Sequence, residues 1–310
     1  MVQKKKKGKS LRRTITSRSR IMMMKKSLQR KTTVLEKELQ KILSEEDTIL
    51  SRAMRHAVFS GGKRYRPLLA MSSAEIFSVQ EKTILPFACA LELVHNYSLV
   101  HDDLPAMDDD SVRRGKPTCH KAFGEDIAIL TGDSLLTLAF EVMAEAPAAE
   151  KMAAWKDRCI MEISLAAGYK GMVGGQVLDI TLSSGELTED KICELIQKKT
   201  GALITASLRI GGILGNASKK QMSALTEFGN NIGFAFQIRD DILDSSQDIA
   251  DDRVFRPNSV DLWGAETAHR RLQEHIQMAL DALRREEIRS EDLTFLAQLL
   301  LDLHLENNHE

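Results

Sequence analysis

The amino-acid sequence predicts an all-α protein. Apolar residues recur at helical spacing, as in Phe228, Ile232 and Phe236, while alternating strand patterns are scarce. Only 6 of the 310 residues are proline, and the strong helix formers Ala, Leu, Met and Glu fill the segments between them. Four long stretches carry no proline: 124–146, 150–170, 188–216 and 264–284. We therefore expect a bundle of about ten helices.

Electric charge divides the chain into a basic tail and an acidic body. Of the 43 Lys and Arg residues, 13 lie between Met1 and Lys31, where no Asp or Glu occurs. The rest of the chain carries 30 basic and 44 acidic residues, a formal charge of −14. No Pro-, Gly- or Ser-rich linker follows, so we expect a basic, disordered tail over residues 1–31 and a single domain over residues 32–310.

The basic tail allows more than one interpretation. Arg, Ser and Thr without acidic residues are typical of a transit peptide, whereas the run from Lys4 to Lys7 and the lack of a clear amphipathic stripe are not. Translation that begins within the run from Met22 to Met24 is a simpler explanation. We expect a cytoplasmic protein, with organellar targeting by the basic N-terminus as the alternative.

Composition argues against several classes of protein. No uncharged apolar run approaches the roughly 18 residues that cross a bilayer, so no membrane span is expected. The four cysteines lie 30 to 40 residues apart, without the close pairs of metal knuckles or redox motifs, and are interpreted as reduced structural thiols. The acidic body has no basic face with interleaved aromatic residues, so no nucleic-acid partner is expected.

The first chemical feature is a dense group of carboxylates at the end of an apolar helix. Five aspartates fall within nine residues: Asp102, Asp103, Asp108, Asp109 and Asp110. Crowded carboxylates repel one another unless cations neutralise them, and hard oxygen ligands suit magnesium shared with phosphates. Pro105 should interrupt the helix and let Asp108 return beside Asp102. A solvated acidic loop is the simpler interpretation of this group when it is taken alone.

A second group of polar residues favours the functional interpretation. Gln237, Asp240, Asp241 and Asp244 are spaced at i, i+3, i+4 and i+7, so they project from one side of a helix. Their neighbours are almost all apolar, and unpaired carboxylates are costly to bury there. We expect the two acidic groups to face each other across a cavity and to hold several magnesium ions, an arrangement suited to a diphosphate.

Basic residues occur where an anion would need them. Gly61 and Gly62 lead into Lys63 and Arg66 at a helix start, Arg113 and Arg114 follow the first acidic group, and Lys198 and Lys199 stand in mid-chain. Arginine binds phosphate oxygens bidentately, and free amides at a helix start favour anions. Each motif alone is more often an ordinary surface feature, whereas their combination with two acidic groups favours a diphosphate site.

These motifs together resemble the trans-isoprenyl diphosphate synthase family, most closely its bacterial farnesyl diphosphate synthases. The matching strings are GGKRYRP at 61–67, ELVHNYSLVHDDLPAMDDDSVRRGKPTCH at 92–120, GGQVLD at 174–179, KTGALI at 199–204 and GFAFQIRDDILD at 233–244. The resemblance implies an isoprenoid-synthase-type helical bundle around a deep central cavity, and a homodimer. It also implies a reaction in which an allylic diphosphate ionises, isopentenyl diphosphate attacks the carbocation and a proton is lost.

The resemblance implies the metal ligands and the residues near them. The expected ligands of Mg²⁺, three ions per active site with Mn²⁺ as an alternative, are Asp102, Asp103, Asp108, Asp240, Asp241 and Asp244. The metals would act as Lewis acids on the departing diphosphate. Gln176 and Asp179 are expected near this cluster, although a role in helix packing is an equal alternative.

The resemblance also implies two groups of substrate-binding residues. Arg113, Lys199, Thr200 and Gln237 correspond to residues that contact the allylic diphosphate or line the path of the carbocation, and they are the predicted catalytic group. Lys63, Arg66, His95 and Arg114 correspond to the pocket for isopentenyl diphosphate. His95 stands seven residues before Asp102 and so shares its side of the helix. No dedicated general base is apparent, which agrees with a family in which the released diphosphate takes the proton.

Product length is predicted from the helix that precedes the first motif. Tyr97 and Ser98 stand five and four residues before Asp102, one turn deeper along the expected cavity wall. A bulky ring at Tyr97 should stop elongation at the fifteen-carbon farnesyl product.

The sequence departs from the family after the second motif. The loop over residues 245–259 is shorter than expected and lacks both lysines that the family has there, so Arg253 or Arg256 is a candidate substitute. Residues from Trp263 onward also match the family poorly. The sequence therefore does not predict how the loop and the C-terminus would close the site.

Several alternatives are retained. Geranylgeranyl diphosphate synthase differs only in product length, and the altered loop is compatible with a weakly active or regulatory homologue. A terpene cyclase shares the helical fold but would have an Asn/Asp-x-x-Ser/Thr-x-x-x-Glu metal site in place of the second motif, and would not need Lys63, Arg66 and Arg114.

Overall fold

Helices account for almost all of the regular structure. The computed structural model describes residues 17–43, 46–147, 153–246 and 258–303. Within these ranges the helices are α1 Ser17–Ile42, α2 Ile49–Val58, α3 Tyr65–Ile76, α4 Glu81–Asp102, α5 Cys119–Phe123, α6 Glu125–Glu145, α7 Ala153–Ala167, α8 Met172–Thr181, α9 Glu189–Ile196, α10 Ala202–Leu214, α11 Lys219–Ser246, α12 Ser259–Trp263, α13 Ala265–Arg285 and α14 Glu291–Leu299. The all-α prediction is confirmed. The helices outnumber the ten expected because short ones such as α5 and α12 are too brief to show a periodic pattern.

The four long stretches without proline are helical, as predicted. Three of them correspond to α6, α7 and α13. The fourth, near residues 188–216, contains α9 and α10 joined by a single π-helical turn, Gln197–Gly201. Single π turns inside helices are frequent at functional sites, and this one contains two of the predicted catalytic residues.

A short β-hairpin separates α4 from α5. Strand β1 (Val112–Arg113) pairs antiparallel with β2 (Lys116–Pro117). The connecting residues Arg114 and Gly115 have φ angles of 53° and 73°, the left-handed conformation at both positions that tight hairpin turns require. Strands of two residues are too short to alternate, so the sequence pattern did not predict them.

The apolar core has two main parts that meet at α10. Helix α10 is buried along nearly its whole length and packs against α3, α4, α7 and α11. One part lies among α2, α3, α4, α6 and α7 and includes Leu91 and Leu135. The other lies among α11, α13, α14 and the N-terminal parts of α1 and α3, and it includes Phe228 and Leu272. Helix α10 thus ties together the helices that carry the two acidic motifs.

Helix α1 crosses the predicted boundary between tail and domain. It is continuous from Ser17 to Ile42, and Leu28 and Lys31 within it are buried against the rest of the protein. The prediction of disorder is therefore wrong for residues 17–31, because apolar side chains on one side of α1 pack on the core despite the basic composition. Residues 1–16 lie outside the described residues.

In the part of the chain that the structure describes, two helices satisfy the length and hydropathy of a membrane span. They are α4 and α6, with mean hydropathies of 1.2 and 1.6 over the test window. In α4, 67% of that window is buried inside the protein, as in the core helix of a soluble domain, whereas in α6 the buried share is 33%. The apolar character of α4 is explained by burial, and α6 keeps an exposed apolar side.

Candidate active site

The first acidic motif lies at the C-terminal end of α4. After the helix ends, the backbone N–H of Asp108 donates to the carbonyl oxygen of Asp102 at 2.9 Å, so the chain returns as the position of Pro105 predicted. Burial raises the pKa of Asp102 to about 7; the Lys199 ammonium opposes this rise and the Asp108 carboxylate adds to it. A carboxylate with this environment gains from a nearby cation.

Asp103 faces the protein interior and pairs with an arginine. Its side chain is buried, and its Oδ1 accepts a hydrogen bond from Nε of Arg113 at 2.6 Å. Arg113 also donates to Oδ2 of Asp110 at 3.1 Å. Burial raises the pKa of Asp103, and the ion pair with Arg113 opposes that rise. The predicted metal residue Asp103 and the predicted diphosphate residue Arg113 thus contact each other and fix the hairpin against α4.

The second acidic motif lies on α11. Asp240 is half-buried, with Arg239 Nη1 at 3.3 Å from its Oδ1. Burial lowers the pKa of the Arg66 guanidinium, and the Asp240 carboxylate lies close enough to oppose that fall. Asp241 is only 5% exposed and accepts two hydrogen bonds from protein donors. Asp244, one turn further along, is exposed. The three carboxylates therefore have different surroundings, a distinction that helical spacing alone did not provide.

The π turn between α9 and α10 places Lys199 and Thr200 between the two motifs. Nζ of Lys199 donates to Oδ2 of Asp179 at 2.5 Å, and its charge acts on Asp102. The Thr200 hydroxyl donates to Oε1 of Gln237 at 2.6 Å. One turn of chain thus contacts residues on both sides of the site.

Glycines allow the neighbouring helices to approach this turn. A Cβ at Gly233 of α11 would lie 2.5 Å from Cα of Gly201, and a Cβ at Gly175 of α8 would lie 2.3 Å from the backbone nitrogen of Lys199. Real Cβ atoms do not come so close to backbone atoms, so only glycine permits this spacing. The approach of α8 and α11 positions Asp179 and Gln237 against the turn.

The predicted basic residues form a group beside the second motif. Arg66 is buried, its Nε has no hydrogen-bond partner among the described residues, and its guanidinium lies 5.8 Å from the ring centroid of Phe236. Arg114 donates to the carbonyl oxygen of Gly61 at 2.5 Å. Lys63 is exposed on the same loop. The buried charge of Arg66 thus lies beside the exposed charges of Arg114 and Lys63, an arrangement that suits an anion.

His95 lies within this basic group. Burial lowers the pKa of His95 well below its usual range, and the Arg66, Arg114, Arg113 and Arg64 guanidinium groups lower it further. The imidazole is therefore neutral near pH 7. It offers hydrogen bonding to a diphosphate without adding another charge to the group.

Two residues missed by the sequence reasoning hold the basic loop. Arg64 has a left-handed backbone (φ 51°) and donates to Oε1 of Glu92 at 2.7 Å and to the carbonyl oxygens of Val58 and Gly61. Arg64 and Glu92 are both buried. The sequence did offer a signal for this pair: Glu92 is an isolated glutamate in the apolar run of α4, and a carboxylate is rarely buried without a cation partner.

Tyr97 and Ser98 lie on α4 one turn before the first motif, as expected. Tyr97 is buried, its ring lies edge-on to the imidazole of His101 with 5.9 Å between ring centroids, and burial raises its pKa to about 12. The Ser98 hydroxyl donates to the His95 carbonyl oxygen at 2.9 Å. Tyr97 thus has the larger side chain of the two, and its buried ring packs against the His101 imidazole.

The remaining predicted residues fall into two groups. Both polar atoms of the Gln176 amide are buried without a partner among the described residues, and Asp179 pairs with Lys199. Arg253 and Arg256 lie outside the described residues, as does the acidic end of the chain from residue 304.

The carboxylates fit a hard divalent cation in their chemistry. Asp108 and Asp179 both act on the pKa of Asp102, so negative charge converges on that carboxylate. Among residues 17–43, 46–147, 153–246 and 258–303, however, no group of three or more His, Cys, Asp or Glu side chains forms a complete metal site. Magnesium here would need further oxygen ligands, which substrate phosphates provide.

The described residues form a large groove away from the acidic motifs and a small cavity beneath the first motif. A groove of about 580 Å³ opens among α7, α10 and α11, where Arg158, Arg209 and Lys219 line it. A much smaller cavity, about 20 Å³, lies beneath the first motif and is lined by Asp103 and Arg113 among others. The large groove is separate from the acidic motifs.

Comparison with known proteins gives consistent matches. A family model described as polyprenyl synthetase matches residues 47–253. Farnesyl diphosphate synthase from Geobacillus stearothermophilus is 38% identical over 81% of this chain and 87% of its own length. The Escherichia coli farnesyl diphosphate synthase is 37% identical over 85% of this chain and 91% of its own.

Solved structures share the fold. An FPP/GFPP synthase from Zymomonas mobilis aligns with a TM-score of 0.81 and 34% identity, covering 91% of this chain and all of the other. A geranyltransferase from Legionella pneumophila aligns with a TM-score of 0.79 and 34% identity, over 93% of this chain and 99% of its own.

Proposed function

Because this chain belongs to the polyprenyl synthetase family and is a trans-prenyltransferase, we propose that it makes farnesyl diphosphate from isopentenyl diphosphate and an allylic diphosphate, dimethylallyl or geranyl. The observation that carries the proposal is the position of Lys199 and Thr200. Their turn contacts Asp179 on one side and Gln237 on the other, so cationic and dipolar groups meet between two acidic motifs. This arrangement suits a substrate whose diphosphate leaves while a carbocation forms.

Departure of the diphosphate is the first task of the site. Magnesium held by Asp102, Asp108, Asp240 and Asp244 would neutralise charge on the leaving oxygen. Asp103 and Asp241, also predicted as ligands, are held by protein donors. Lys199 lies between the carboxylates and provides an ammonium donor to the same diphosphate. Arg113, fixed by Asp103 and Asp110, is placed to add a bidentate contact.

Stabilisation of the allylic cation is the second task. The hydroxyl of Thr200 and the amide oxygen of Gln237 are hydrogen-bonded to each other, and both present oxygen lone pairs on the side of the π turn. Oxygen dipoles fixed before the reaction stabilise positive charge without reorganisation. The final proton is expected to pass to the released diphosphate, since no general base pair is apparent.

Isopentenyl diphosphate is expected to bind through side chains alone. Arg66, Arg114 and Lys63 supply positive charge, and neutral His95 supplies a hydrogen bond. Arg114 donates to Gly61, and the diphosphate would compete for that guanidinium. This pocket lies beside Asp240, so the nucleophile and the allylic substrate can be held next to each other.

Product length is proposed to stop at fifteen carbons because the bulky Tyr97 ring, one turn before the first motif on α4, would end the expected path of the growing chain. Geranylgeranyl diphosphate synthase remains the alternative. A large subunit of a heterodimeric geranylgeranyl pyrophosphate synthase from Arabidopsis thaliana is 44% identical over 63% of this chain, although that match covers only 54% of its own length.

We expect the chain to act as a homodimer. Of the fifteen exposed large apolar residues in the described ranges, eight fall between residues 129 and 180. They are Ile129, Leu130, Met161, Leu165, Tyr169, Val173, Val177 and Ile180. Exposed apolar side chains on the neighbouring helices α6, α7 and α8 support self-association. A cytoplasmic location stays a prediction from the sequence.

The decisive experiment supplies the purified protein with Mg²⁺, isopentenyl diphosphate and, in separate reactions, dimethylallyl, geranyl or farnesyl diphosphate. Farnesyl diphosphate is the expected product of the first two reactions, identified by chromatography and mass spectrometry. The matched control is Lys199→Met, which keeps the aliphatic stem and removes the ammonium. Absence of product from all three allylic substrates would contradict the proposal.

A further inference from the structure

Asp241 has contacts that set it apart from the other carboxylates of its motif. Its Oδ1 accepts a hydrogen bond from Nε2 of Gln237 at 2.9 Å, and its Oδ2 accepts one from the backbone N–H of Ser259 at 2.9 Å. Asp241 is 5% exposed and Ser259 is fully buried. Both oxygens are therefore directed at protein donors, one on α11 and one at the start of α12.

The contact with Gln237 determines which way its amide faces. An ionised carboxylate only accepts hydrogen bonds, so it selects the NH₂ end of the amide. The carbonyl oxygen of Gln237 must then face the other way, where it accepts from the Thr200 hydroxyl at 2.6 Å. Without an acceptor at position 241, the amide could turn over and present its NH₂ to Thr200, because a hydroxyl also accepts hydrogen bonds.

The contact with Ser259 attaches α12 to α11. Asn258 caps the first turn of α12 through a hydrogen bond to the Val260 N–H at 2.7 Å. At the other end of α12, the indole of Trp263 stacks under the Arg271 guanidinium, 4.1 Å from the ring centroid. The environment of Trp263 thus reports whether α12 is in place.

We infer that Asp241 is a positioning residue, which holds the amide oxygen of Gln237 toward Thr200 and anchors α12 to α11. This inference rests on the proposed function for its catalytic consequence, since an amide oxygen stabilises the allylic cation and an amide NH₂ opposes it. The anchoring of α12 does not depend on that function. The role differs from the metal ligation that the family resemblance implied for Asp241.

The test uses Asp241→Asn and Asp241→Ala. Asparagine keeps one acceptor for the Ser259 N–H but turns a donor toward Gln237, so the Gln237 amide reverses. We expect kcat to fall on the order of 10- to 100-fold while KM for both substrates stays within about twofold.

Asp241→Ala loses both contacts and tests the anchor of α12. In a Trp155→Phe background, Trp263 is the single tryptophan. There, Asp241→Ala should shift the fluorescence emission of Trp263 to longer wavelength, and Asp241→Asn should not.

A double-mutant cycle separates positioning from metal binding. Gln237→Leu removes the amide, so adding Asp241→Asn to it should lower kcat by no more than about twofold further. Asp240→Asn is the control, because it removes the same charge from a proposed metal ligand. The fold decreases in kcat caused by Asp240→Asn and Gln237→Leu should multiply in the double variant, and Asp240→Asn should raise the Mg²⁺ concentration needed for half-maximal rate.

Three results would overturn the inference: multiplication of the Asp241→Asn and Gln237→Leu effects, a raised Mg²⁺ requirement in Asp241→Asn, or unchanged Trp263 emission in Asp241→Ala. A wild-type protein without prenyltransferase activity would refute the proposed function, while the emission measurement would still decide the anchor.

Discussion

At the scale of single residues, buried charges in the site are compensated by identified partners. Glu92 neutralises Arg64 inside the apolar helix α4, and Asp103 neutralises Arg113 at its end. Asp102 is different: burial raises its pKa, and the Lys199 ammonium, which also pairs with Asp179, opposes that rise. A structural ion pair is complete without a ligand, whereas a carboxylate that is only partly compensated gains from a bound cation. This difference separates the Arg64–Glu92 pair, which holds the basic loop, from Asp102, which is proposed to bind magnesium. Arg113 is paired with Asp103 and is also proposed to contact the diphosphate.

Tyr97→Ala tests the steric account of product length. Removing the ring opens space at the end of the cavity, so we expect a shift from fifteen-carbon to longer prenyl diphosphates, measured by mass spectrometry of the product mixture. Tyr97→Phe keeps the ring and should keep the product. An unchanged distribution in Tyr97→Ala would rule out this residue as the stop.

At the scale of elements, the site depends on how closely helices approach the π turn. Helices α8 and α11 reach it only because Gly175 and Gly233 have no side chain. The wide turn directs the buried Thr200 toward α11, where its hydroxyl donates a hydrogen bond to Gln237. The geometry of the proposed site is therefore a property of three packed elements, and Gly175 and Gly233 contribute to it because they have no side chain.

Gly233→Ala should damage that geometry. The new Cβ would lie 2.5 Å from Cα of Gly201, so α11 must move outward and take Gln237 away from Thr200. We expect a loss of about 1–3 kcal/mol in unfolding free energy and a lower kcat, from urea denaturation and steady-state kinetics. Gly185→Ala is the control, because no heavy atom lies within 4 Å of its added Cβ. Equal behaviour of the two variants would contradict the packing argument.

Helix α1 illustrates a second element-scale effect. Lys31 is 2% exposed, and its Nζ donates to Oδ2 of Asp292 at 2.7 Å and to Oε2 of Glu75 at 2.6 Å. One ammonium thus ties α1 to α14 and α3. A basic sequence that would be solvated in a tail is here part of the folded protein.

Lys31→Met should be strongly destabilising, because it leaves the Asp292 carboxylate buried without its cation. We expect a loss of about 3–5 kcal/mol in unfolding free energy, measured by chemical denaturation. Lys41→Met is the matched control: Lys41 is 73% exposed in its pair with Glu38, and such surface pairs contribute roughly 0–1 kcal/mol. If the Lys31→Met protein were as stable as the control, the buried ion pair between Lys31 and Asp292 would not stabilise the fold.

At the scale of the whole molecule, apolar residues remain uncovered on α6, α7 and α8. A soluble chain rarely exposes so many large apolar side chains in neighbouring helices without a partner. The low burial of α6, 33% over its most apolar window, belongs to the same surface. We propose that self-association covers this surface.

The proposed dimer predicts a particle of about twice the 34.7 kDa chain mass in sedimentation velocity. Leu165→Glu, which places a charge on the α7 part of this surface, should shift the protein toward monomer. Leu301→Glu replaces a similarly exposed leucine near the end of α14 and should leave the mass unchanged. A wild-type monomer, or a Leu165→Glu dimer, would contradict this assignment of the surface.

Local patterns in the chain were sufficient for the helical class and for the chemistry of the two motifs. Periodicity depends only on near neighbours, so α6, α7, α11 and α13 were predictable, and the turn at Pro105 placed Asp108 beside Asp102 as expected. Residues separated by many positions were not predictable in this way. Lys31 with Asp292, and Asp241 with Ser259, are paired by packing between distant helices.

The sequence by itself therefore determined the all-α class, the family and the identity of the acidic and basic groups, because these are encoded in composition and short-range spacing. Only the tertiary structure decided that α1 belongs to the folded protein and that Glu92 pairs with Arg64. It also decided that both carboxylate oxygens of Asp241 accept hydrogen bonds, one from Gln237 and one from Ser259. Burial and hydrogen bonding depend on which helices meet, and they give aspartates of identical chemistry different roles.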